Sequence, residues 1–553
     1  MGFGAPATRP RWRSARFPPS GVLLLTLVFA FGVTVRLLGI RLGLPFFHHW
    51  DEVWVVSSAQ QMLEQGSDLP TSYQYGAPMS RLMAIVVEAW EALGLPQPAG
   101  GFRDDVGLRW VGRGVGVAIC STGILASYVA GRAAGRSPSE SRRLGLYAAL
   151  AHASAYELVT HARYAVTDAC LVAFVAWSLA ACGQYIRTRK LAWAALAVLA
   201  AGLAFAFKPT AGPSILLPLV TLAFVRPPSP PSYVGAVAQR VFLLSAFPAF
   251  LGCFLFFNPH YIAHWQDALR DLTMRIAQTK NGGFPTFLLR EPGLDHLATT
   301  LAGLFGHTLS RLPWISWLLS VVTLVGAYLA IRERRLVVLV GLAHAAAVVL
   351  LISLPNRTFL LRNYLVAVPA ICLALALGLD GLVSRLRERV ALPSAVFVAL
   401  PILVLLLPSF ATLRDSLENQ RLDRDARERA LRWIDANAAS ERLRVGLTPS
   451  VFGKTALGAH RRVRSYFDLP RLGYASVERC PELDAKAPDY IVSASYRGDA
   501  STWSPYVETW HLQSCPGYRQ VASFEANPYE HTYWVTETWD GRVSAIVLER
   551  EGR

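Results

Sequence analysis

The sequence predicts a polytopic α-helical membrane protein, as both its composition and its apolar runs indicate. The chain has 553 residues, of which 53% are apolar and only 17% are charged, and its mean hydropathy is +0.33. Soluble globular domains carry about 25% charged residues. The high apolar and aromatic content also excludes an intrinsically disordered chain.

The charge balance is strongly basic, with 54 Lys and Arg against 38 Asp and Glu and a formal net charge of +16. In a soluble protein this excess would indicate a nucleic acid partner. Here the cations cluster in short segments between apolar runs. We therefore expect membrane lipid as a partner and no nucleic acid.

Eleven apolar runs are candidates for transmembrane helices, each of which needs about 20 residues. Lys208-Pro209 separates two of these runs and predicts a broken or re-entrant element. The runs lie near 19–39, 107–130, 143–159, 166–186, 191–207, 209–225, 238–257, 313–331, 336–354, 362–382 and 391–409.

Basic clusters in alternate loops predict the orientation of these runs. The positive-inside rule places the N-terminus in the cytoplasm and the C-terminus outside. We interpret the first run as a retained anchor, because no small-residue cleavage site follows it. The prediction is a transmembrane domain over 1–410, with outer loops 40–106 and 258–312, followed by an extracytoplasmic α/β domain over 411–553.

The C-terminal domain is predicted from a charged helical stretch, 415–437, and from strand-like runs such as 489–495 and 543–549. Two cysteines, Cys480 and Cys515, lie in this domain and can pair if it is extracytoplasmic. No Cys/His spacing resembles a zinc site, so we predict no metal. The position of the domain outside the membrane suggests a role in acceptor choice.

Acidic residues at the predicted outer boundary of the membrane are candidates for catalysis, because charge there is costly and usually functional. Asp51 and Glu52 follow the first run directly. A partly desolvated carboxylate is more basic than usual, which suits a general base. The alternative is the first turn of a helix, where acids interact favourably with the dipole.

Basic residues at the same boundary are suited to binding a phosphate. Arg109 and Arg113 lie on one helix face. The alternative to phosphate binding is that the Arg109 side chain extends to the lipid head groups. For Arg113, which lies deeper in the membrane, this alternative requires a partner inside the protein. Asp168 can be a helix cap, and Arg163 can pair with Asp168 or Asp51. The residues that converge on this side, and that together predict a site for a phosphate-bearing substrate, are Asp51, Glu52, Arg109, Arg163, Asp168, Lys208 and Arg362.

A series of short motifs over about residues 20–410 resembles the protein mannosyltransferase-like glycosyltransferases. These have the GT-C fold and comprise glycosyltransferase family 39 and its bacterial relatives. Gly76-Ala-Pro-Met79 lacks the lysine expected in lipid A aminoarabinose transferases, which disfavours an aminoarabinose donor. The motifs are His49-Trp-Asp-Glu52, Ala59–Gly66, Tyr73-Gln-Tyr-Gly-Ala-Pro78, Leu108–Gly114, Arg163–Asp168, Ala201–Lys208 and Arg362–Pro369.

The resemblance implies a membrane enzyme of the bacterial inner membrane. It would move a sugar from a polyprenyl-phosphate-linked donor to an acceptor hydroxyl on the extracytoplasmic face, with inversion and without a cofactor or a metal. The acceptor can be a protein, a glycan or a lipid. Asp51 would be the general base and Glu52 its support. The implied phosphate- and substrate-binding residues are Arg109, Arg163, Asp168, Lys208, Arg362, His49 and Tyr75.

Two other classes of function remain open. A transporter or lipid flippase would have ionisable groups near the membrane midplane and pseudo-symmetric halves, whereas the charges here lie at one boundary. A non-catalytic GT-C-like assembly subunit would act through its C-terminal domain. The intact Asp51, Glu52 and Arg109 favour the enzyme over this second alternative.

Overall fold

The computed structural model describes most of the membrane domain and part of the C-terminal domain. His49 and Cys480 lie outside the described residues. The described ranges are 19–40, 44, 50–66, 69–73, 75–97, 101–225, 233–282, 289–390, 393–419, 425–437, 443–447, 472–476, 487–498, 515–524 and 539–551.

The described part of the chain is mainly helical. Two 3₁₀ segments, Pro209–Ile215 and Leu361–Ala367, lead into α9 and α16. The α-helices are α1 Pro19–Leu37, α2 Trp50–Gln65, α3 Ala77–Ala92, α4 Asp105–Ala134, α5 Pro138–Ser154, α6 Tyr156–Ala162, α7 Asp168–Thr188, α8 Leu191–Phe207, α9 Leu216–Phe224, α10 Tyr233–Phe257, α11 His260–Ala263, α12 Trp265–Asn281, α13 Leu294–His307, α14 Pro313–Arg332, α15 Leu336–Ser353, α16 Val368–Arg389, α17 Ser394–Asn419 and α18 Ala426–Asn437.

The predicted apolar runs all coincide with helices. Among the described residues, six helices are long and apolar enough to cross a membrane, and four shorter apolar helices accompany them. The run predicted over 143–159 is α5, which ends at Ser154 before the short helix α6. The predicted break at Lys208-Pro209 is present, because α8 ends at Phe207 and a 3₁₀ segment follows. The prediction of a polytopic helical protein is confirmed.

The bundle is built around α4, α7 and α16, with α5 between α4 and α16. Small residues let some backbones approach closely. A Cβ at Gly326 in α14 would lie 1.8 Å from the Ala374 carbonyl oxygen in α16, and one at Gly378 would lie 2.1 Å from the Val322 carbonyl oxygen. No side chain fits at these two positions, where α14 lies directly against the most buried span.

The C-terminal domain contains a five-stranded mixed sheet on which α18 packs. The strands are β1 Leu443–Leu447, β2 Leu472–Ser476, β3 Tyr490–Gly498, β4 Tyr518–Phe524 and β5 Trp539–Arg550. Their spatial order is β2-β1-β3-β5-β4, with β1 parallel to β2 and β3, and β5 antiparallel to β3 and β4. The strands predicted near 489–495 and 543–549 are β3 and β5. Cys515 is disulfide-bonded.

We predict that Gly326→Ala lowers the thermal stability of the purified protein by about 1–3 kcal/mol, the usual cost of overpacking. The matched control is Gly252→Ala in α10, where a Cβ would meet nothing within 4 Å. Thermal unfolding of both variants in the same lipid nanodiscs measures the difference. Equal midpoints would contradict the close contact between α14 and α16.

Candidate functional site

One end of the helix bundle, which we call the site end, brings together the starts of α2, α4 and α7, the end of α8 and the 3₁₀ segment Leu361–Ala367. The sequence predicted that the candidate site residues share one side of the membrane. The described candidates lie on these elements or, for Tyr75 and Arg163, just before α3 and just after α6. All are buried, with at most 6% of any residue exposed: Asp51, Glu52, Tyr75, Arg109, Arg163, Asp168, Lys208 and Arg362.

Asp51, in the first turn of α2, lies between a phenol and a guanidinium. Its carboxylate forms an ion pair with Arg362, with Oδ2 at 3.0 Å from Nη1. The Tyr75 hydroxyl donates a hydrogen bond to the same carboxylate. Burial raises the pKa of the Tyr75 phenol well above its usual value, and the neighbouring Asp51 charge acts in the same direction. Tyr75 is therefore a neutral donor at physiological pH.

Asp168 and Lys208 form a second buried pair beside the first. The Lys208 Nζ lies 2.8 and 3.1 Å from the two carboxylate oxygens of Asp168. It also lies 5.5 Å from the centre of the Tyr75 ring, within the range of a cation–π contact. Asp168 interacts electrostatically with both Asp51 and Arg362. Two acids, two cations and a phenol thus share one buried cluster.

The loop that carries Tyr75 is fixed to the end of α8, next to Lys208. The Gly76 amide donates to the Phe207 carbonyl at 3.1 Å. The Asn258 side chain joins the two segments, accepting from the Ala77 amide at 2.9 Å and donating to the Ala206 carbonyl at 3.1 Å. A Cβ at Gly76 would lie 1.7 Å from the Ala206 carbonyl oxygen, so the close approach requires glycine.

Glu52 binds Arg113 and is the internal partner that the sequence predicted for Arg113. The carboxylate and the guanidinium form two hydrogen bonds of 2.8 and 2.9 Å, and neither side chain is exposed. Glu52 also accepts from the Ala165 amide at 2.8 Å, while Arg113 donates to the Ile40 carbonyl at 2.8 Å. This pair joins α1, α2, α4 and the turn before α7, which fits a supporting role.

Arg109 has a partner on its own helix, whereas Arg163 has one on α1. Arg109 forms an i,i+4 ion pair with Asp105 at 2.8 Å in the first turns of α4. Arg163 donates to the Val35 carbonyl of α1 at 3.0 Å. The sequence left Asp168 and Asp51 open as partners of Arg163; their ion pairs are formed by Lys208 and Arg362 instead.

A polar network behind Arg362 was not predicted from the sequence. Tyr364, on the same 3₁₀ segment, contacts the His296 Nε2 at 2.9 Å, and the His296 Nδ1 lies 2.6 Å from the Asn356 carbonyl oxygen. Because a carbonyl only accepts, Nδ1 carries the proton, and burial lowers the pKa of this histidine. Tyr364 belongs to a motif noted in the sequence, but no local pattern identifies His296 as its partner.

The described residues contain no group of three or more His, Cys, Asp or Glu side chains that could hold a metal ion. The site-end cluster instead offers a carboxylate beside a phenol, together with cations that can neutralise an anion. This chemistry suits proton abstraction next to a phosphate.

Residues 114–260 match the model of the dolichyl-phosphate-mannose-protein mannosyltransferase family. The matched region includes Arg163, Asp168 and Lys208. No curated protein matches the chain at a significant level.

The fold is similar to that of ArnT from Cupriavidus metallidurans in the apo state, with a TM-score of 0.50 and 14% sequence identity over 96% of this chain and 98% of that chain. ArnT bound to undecaprenyl phosphate gives a TM-score of 0.48 with the same identity and coverage. The Archaeoglobus fulgidus oligosaccharyltransferase gives 0.49 with 12% identity, over 88% of this chain and 70% of that one. The predicted resemblance to mannosyltransferase-like GT-C glycosyltransferases is confirmed.

We predict that Arg113→Met destabilises the protein by about 3–5 kcal/mol, because it leaves the Glu52 carboxylate buried without its cation. The double variant Glu52→Gln/Arg113→Met should regain much of this loss. Arg103→Met is the matched control, since Arg103 pairs with Glu91 at an exposed position, where solvent screens the ion pair. Equal unfolding midpoints for Arg113→Met and Arg103→Met would contradict the assignment.

Proposed function

We propose that this mannosyltransferase-like glycosyltransferase moves a sugar from a polyprenyl-phosphate-linked donor to an acceptor hydroxyl at the outer face of a bacterial inner membrane. The observation that carries the proposal is the buried cluster in which Asp51 contacts both Tyr75 and Arg362 beside the Asp168–Lys208 pair. The site end would face the extracytoplasmic side, as the basic clusters of the opposite loops indicate.

Asp51 would act as the general base. It would take the proton of the acceptor hydroxyl while that oxygen attacks the anomeric carbon of the donor. The bond between the anomeric carbon and the phosphate oxygen would break, and its electron pair would leave with the polyprenyl phosphate. A single displacement of this kind inverts the anomeric centre.

Arg362 and Lys208 would bind the phosphate of the donor, with Arg109 as a further ligand. ArnT from Cupriavidus metallidurans, which shares the fold, has been crystallised with undecaprenyl phosphate. Positive charge at the phosphate stabilises the leaving group as charge develops on it. Protein cations supply this charge, so the proposal requires no metal or cofactor.

In this mechanism, the Asp51–Arg362 pair requires the donor to bind before Asp51 becomes an effective base. A carboxylate beside a cation is less basic than one that stands alone. A donor phosphate would compete with Asp51 for Arg362, and the loss of that contact would make Asp51 more basic. The base would therefore be activated only when the donor is bound.

The acceptor would be a protein, a glycan or a lipid. The C-terminal domain, which we place on the outer side, would contribute to its selection. His49 is retained as a substrate-binding candidate on the motif alone. Arg163 and Glu52 would act by holding the elements around the cluster in place.

The test is consumption of pooled polyprenyl-phosphate sugars, carrying mannose, glucose, arabinose or aminoarabinose, by the purified protein in lipid with crude membranes as the acceptor source. We expect the wild type to consume one donor and Asp51→Asn to be slower by about 10²–10⁴-fold, the usual contribution of a general base. Asp380→Asn is the matched control, because Asp380 is another buried aspartate paired with an arginine, Arg143.

Two outcomes would contradict the proposal. Equal rates for the wild type and Asp51→Asn would exclude Asp51 as the base. A wild type that consumes no donor, even with membranes present, would favour the transporter or the non-catalytic subunit instead.

A further inference from the structure

Helix α12 holds the loop that carries Tyr75. The Asp271 Oδ2 accepts from the Tyr73 amide at 2.9 Å and from the Ser72 hydroxyl at 3.3 Å. In the segment that leads into α12, the Tyr261 hydroxyl donates to the Tyr73 carbonyl. Tyr75 follows two residues later, so this anchor lies directly beside a side chain that contacts Asp51.

The far end of the same helix holds the chain before Arg362. The amides of Arg357 and Thr358 both donate to the Thr279 carbonyl, at 3.2 and 3.1 Å. Arg357 is also paired with the chain after α12, because its carbonyl accepts from the Arg290 amide at 2.8 Å. Arg362 lies four residues beyond Thr358, in the 3₁₀ segment that begins at Leu361.

One helix therefore holds the two segments that carry Tyr75 and Arg362, which contact the carboxylate of Asp51. Asp271 and Thr279 lie eight residues apart, about two turns of a helix. A shift of α12 would move the Tyr75 loop and the Arg362 segment together. Its position then determines the geometry of the cluster.

The outward face of α12 carries an apolar stripe. Trp265, Leu269 and Ile276 are spaced by four and seven residues and so share one helix face. They are 58%, 58% and 55% exposed. Gln266 and Arg270 lie on the adjacent exposed face, which gives the helix an apolar side and a polar side.

The spans that flank α12 in the sequence, α10 and α14, also expose aromatic side chains at the ends nearest to it in the chain. α12 begins eight residues after α10 ends, and α10 exposes Phe256 at its last turn. Trp314 and Trp317 are exposed at the start of α14. Tryptophan is enriched where spans enter the headgroup region of a membrane, and amphipathic helices lie in that plane.

We propose that α12 lies on the membrane surface at the site end, and that its contact with lipid fixes Tyr75 and Arg362 around Asp51. The occupant of the apolar stripe is the lipid surface itself. The consequence for catalysis rests on the proposed function, whereas the location of the helix does not. Access of the donor from the bilayer would thus be coupled to the arrangement of the site.

The location is tested with an environment-sensitive fluorophore attached at Leu269→Cys or, as the matched control, at Gln266→Cys, in nanodiscs that contain lipids with nitroxide quenchers. The unmodified chain, treated identically, gives the background from its own cysteines. We expect at least threefold stronger quenching at Leu269 than at Gln266. Equally weak quenching at both positions would overturn the proposal.

The coupling is tested by amide hydrogen exchange of residues 69–76. Asp271→Ala should raise the exchange rate at least tenfold, while Asp271→Asn, which keeps an acceptor oxygen for the Tyr73 amide, should stay close to the wild type. Asp267→Ala is the control, because Asp267 lies on the exposed side of the same helix and pairs with Arg270. Unchanged exchange in Asp271→Ala would refute the coupling.

Donor turnover separates this inference from the proposed function. The kcat of Asp271→Ala should fall at least tenfold and recover in Asp271→Asn, with Asp267→Ala unchanged. If exchange and quenching behave as expected but even the wild type has no turnover, the proposed function fails and the role of α12 stands.

Discussion

Buried charges at the site end need counter-charges, and this constraint organises the surrounding structure. Asp51 has Arg362 and Asp168 has Lys208, and each pair is almost completely buried. Breaking such a pair costs several kcal/mol, whereas replacing both partners with apolar residues is often neutral. Stability alone therefore does not account for two such pairs in one cluster. The proposed binding of a phosphate anion at this cluster would account for them.

Breaks in the helices place these charges. Lys208 has an extended backbone between α8 and a 3₁₀ segment, Arg362 lies on the second 3₁₀ segment, and Asp168 follows the turn after α6. Irregular backbone at membrane depth is tolerated only where protein or a cavity surrounds it. The breaks and the buried ion pairs therefore occur together. The backbone groups freed at a break and the buried charges both need polar partners, which lipid cannot provide.

The sequence predicted the helical spans, the sharing of one boundary by the charged residues and the break at Lys208-Pro209, because hydropathy and local charge determine them. It did not predict which acid binds which cation. Arg163 had two acids as open partners, yet it binds the Val35 carbonyl. Such pairings join residues far apart in the chain and depend on helix packing. The same holds for His296 behind Arg362 and for the contacts of α12, which no local periodicity encodes.

We propose that Arg362 and Lys208, the cations paired with acids at the site end, bind a lipid phosphate. This proposal is tested most directly by measuring the affinity of the purified protein in nanodiscs for decaprenyl phosphate without a sugar. We expect Arg362→Met to weaken binding at least tenfold, while Asp51→Asn keeps or strengthens it. Arg143→Met, which removes an arginine paired with Asp380 on another part of the bundle, should bind like the wild type. Equal affinities for the wild type and Arg362→Met would contradict the account.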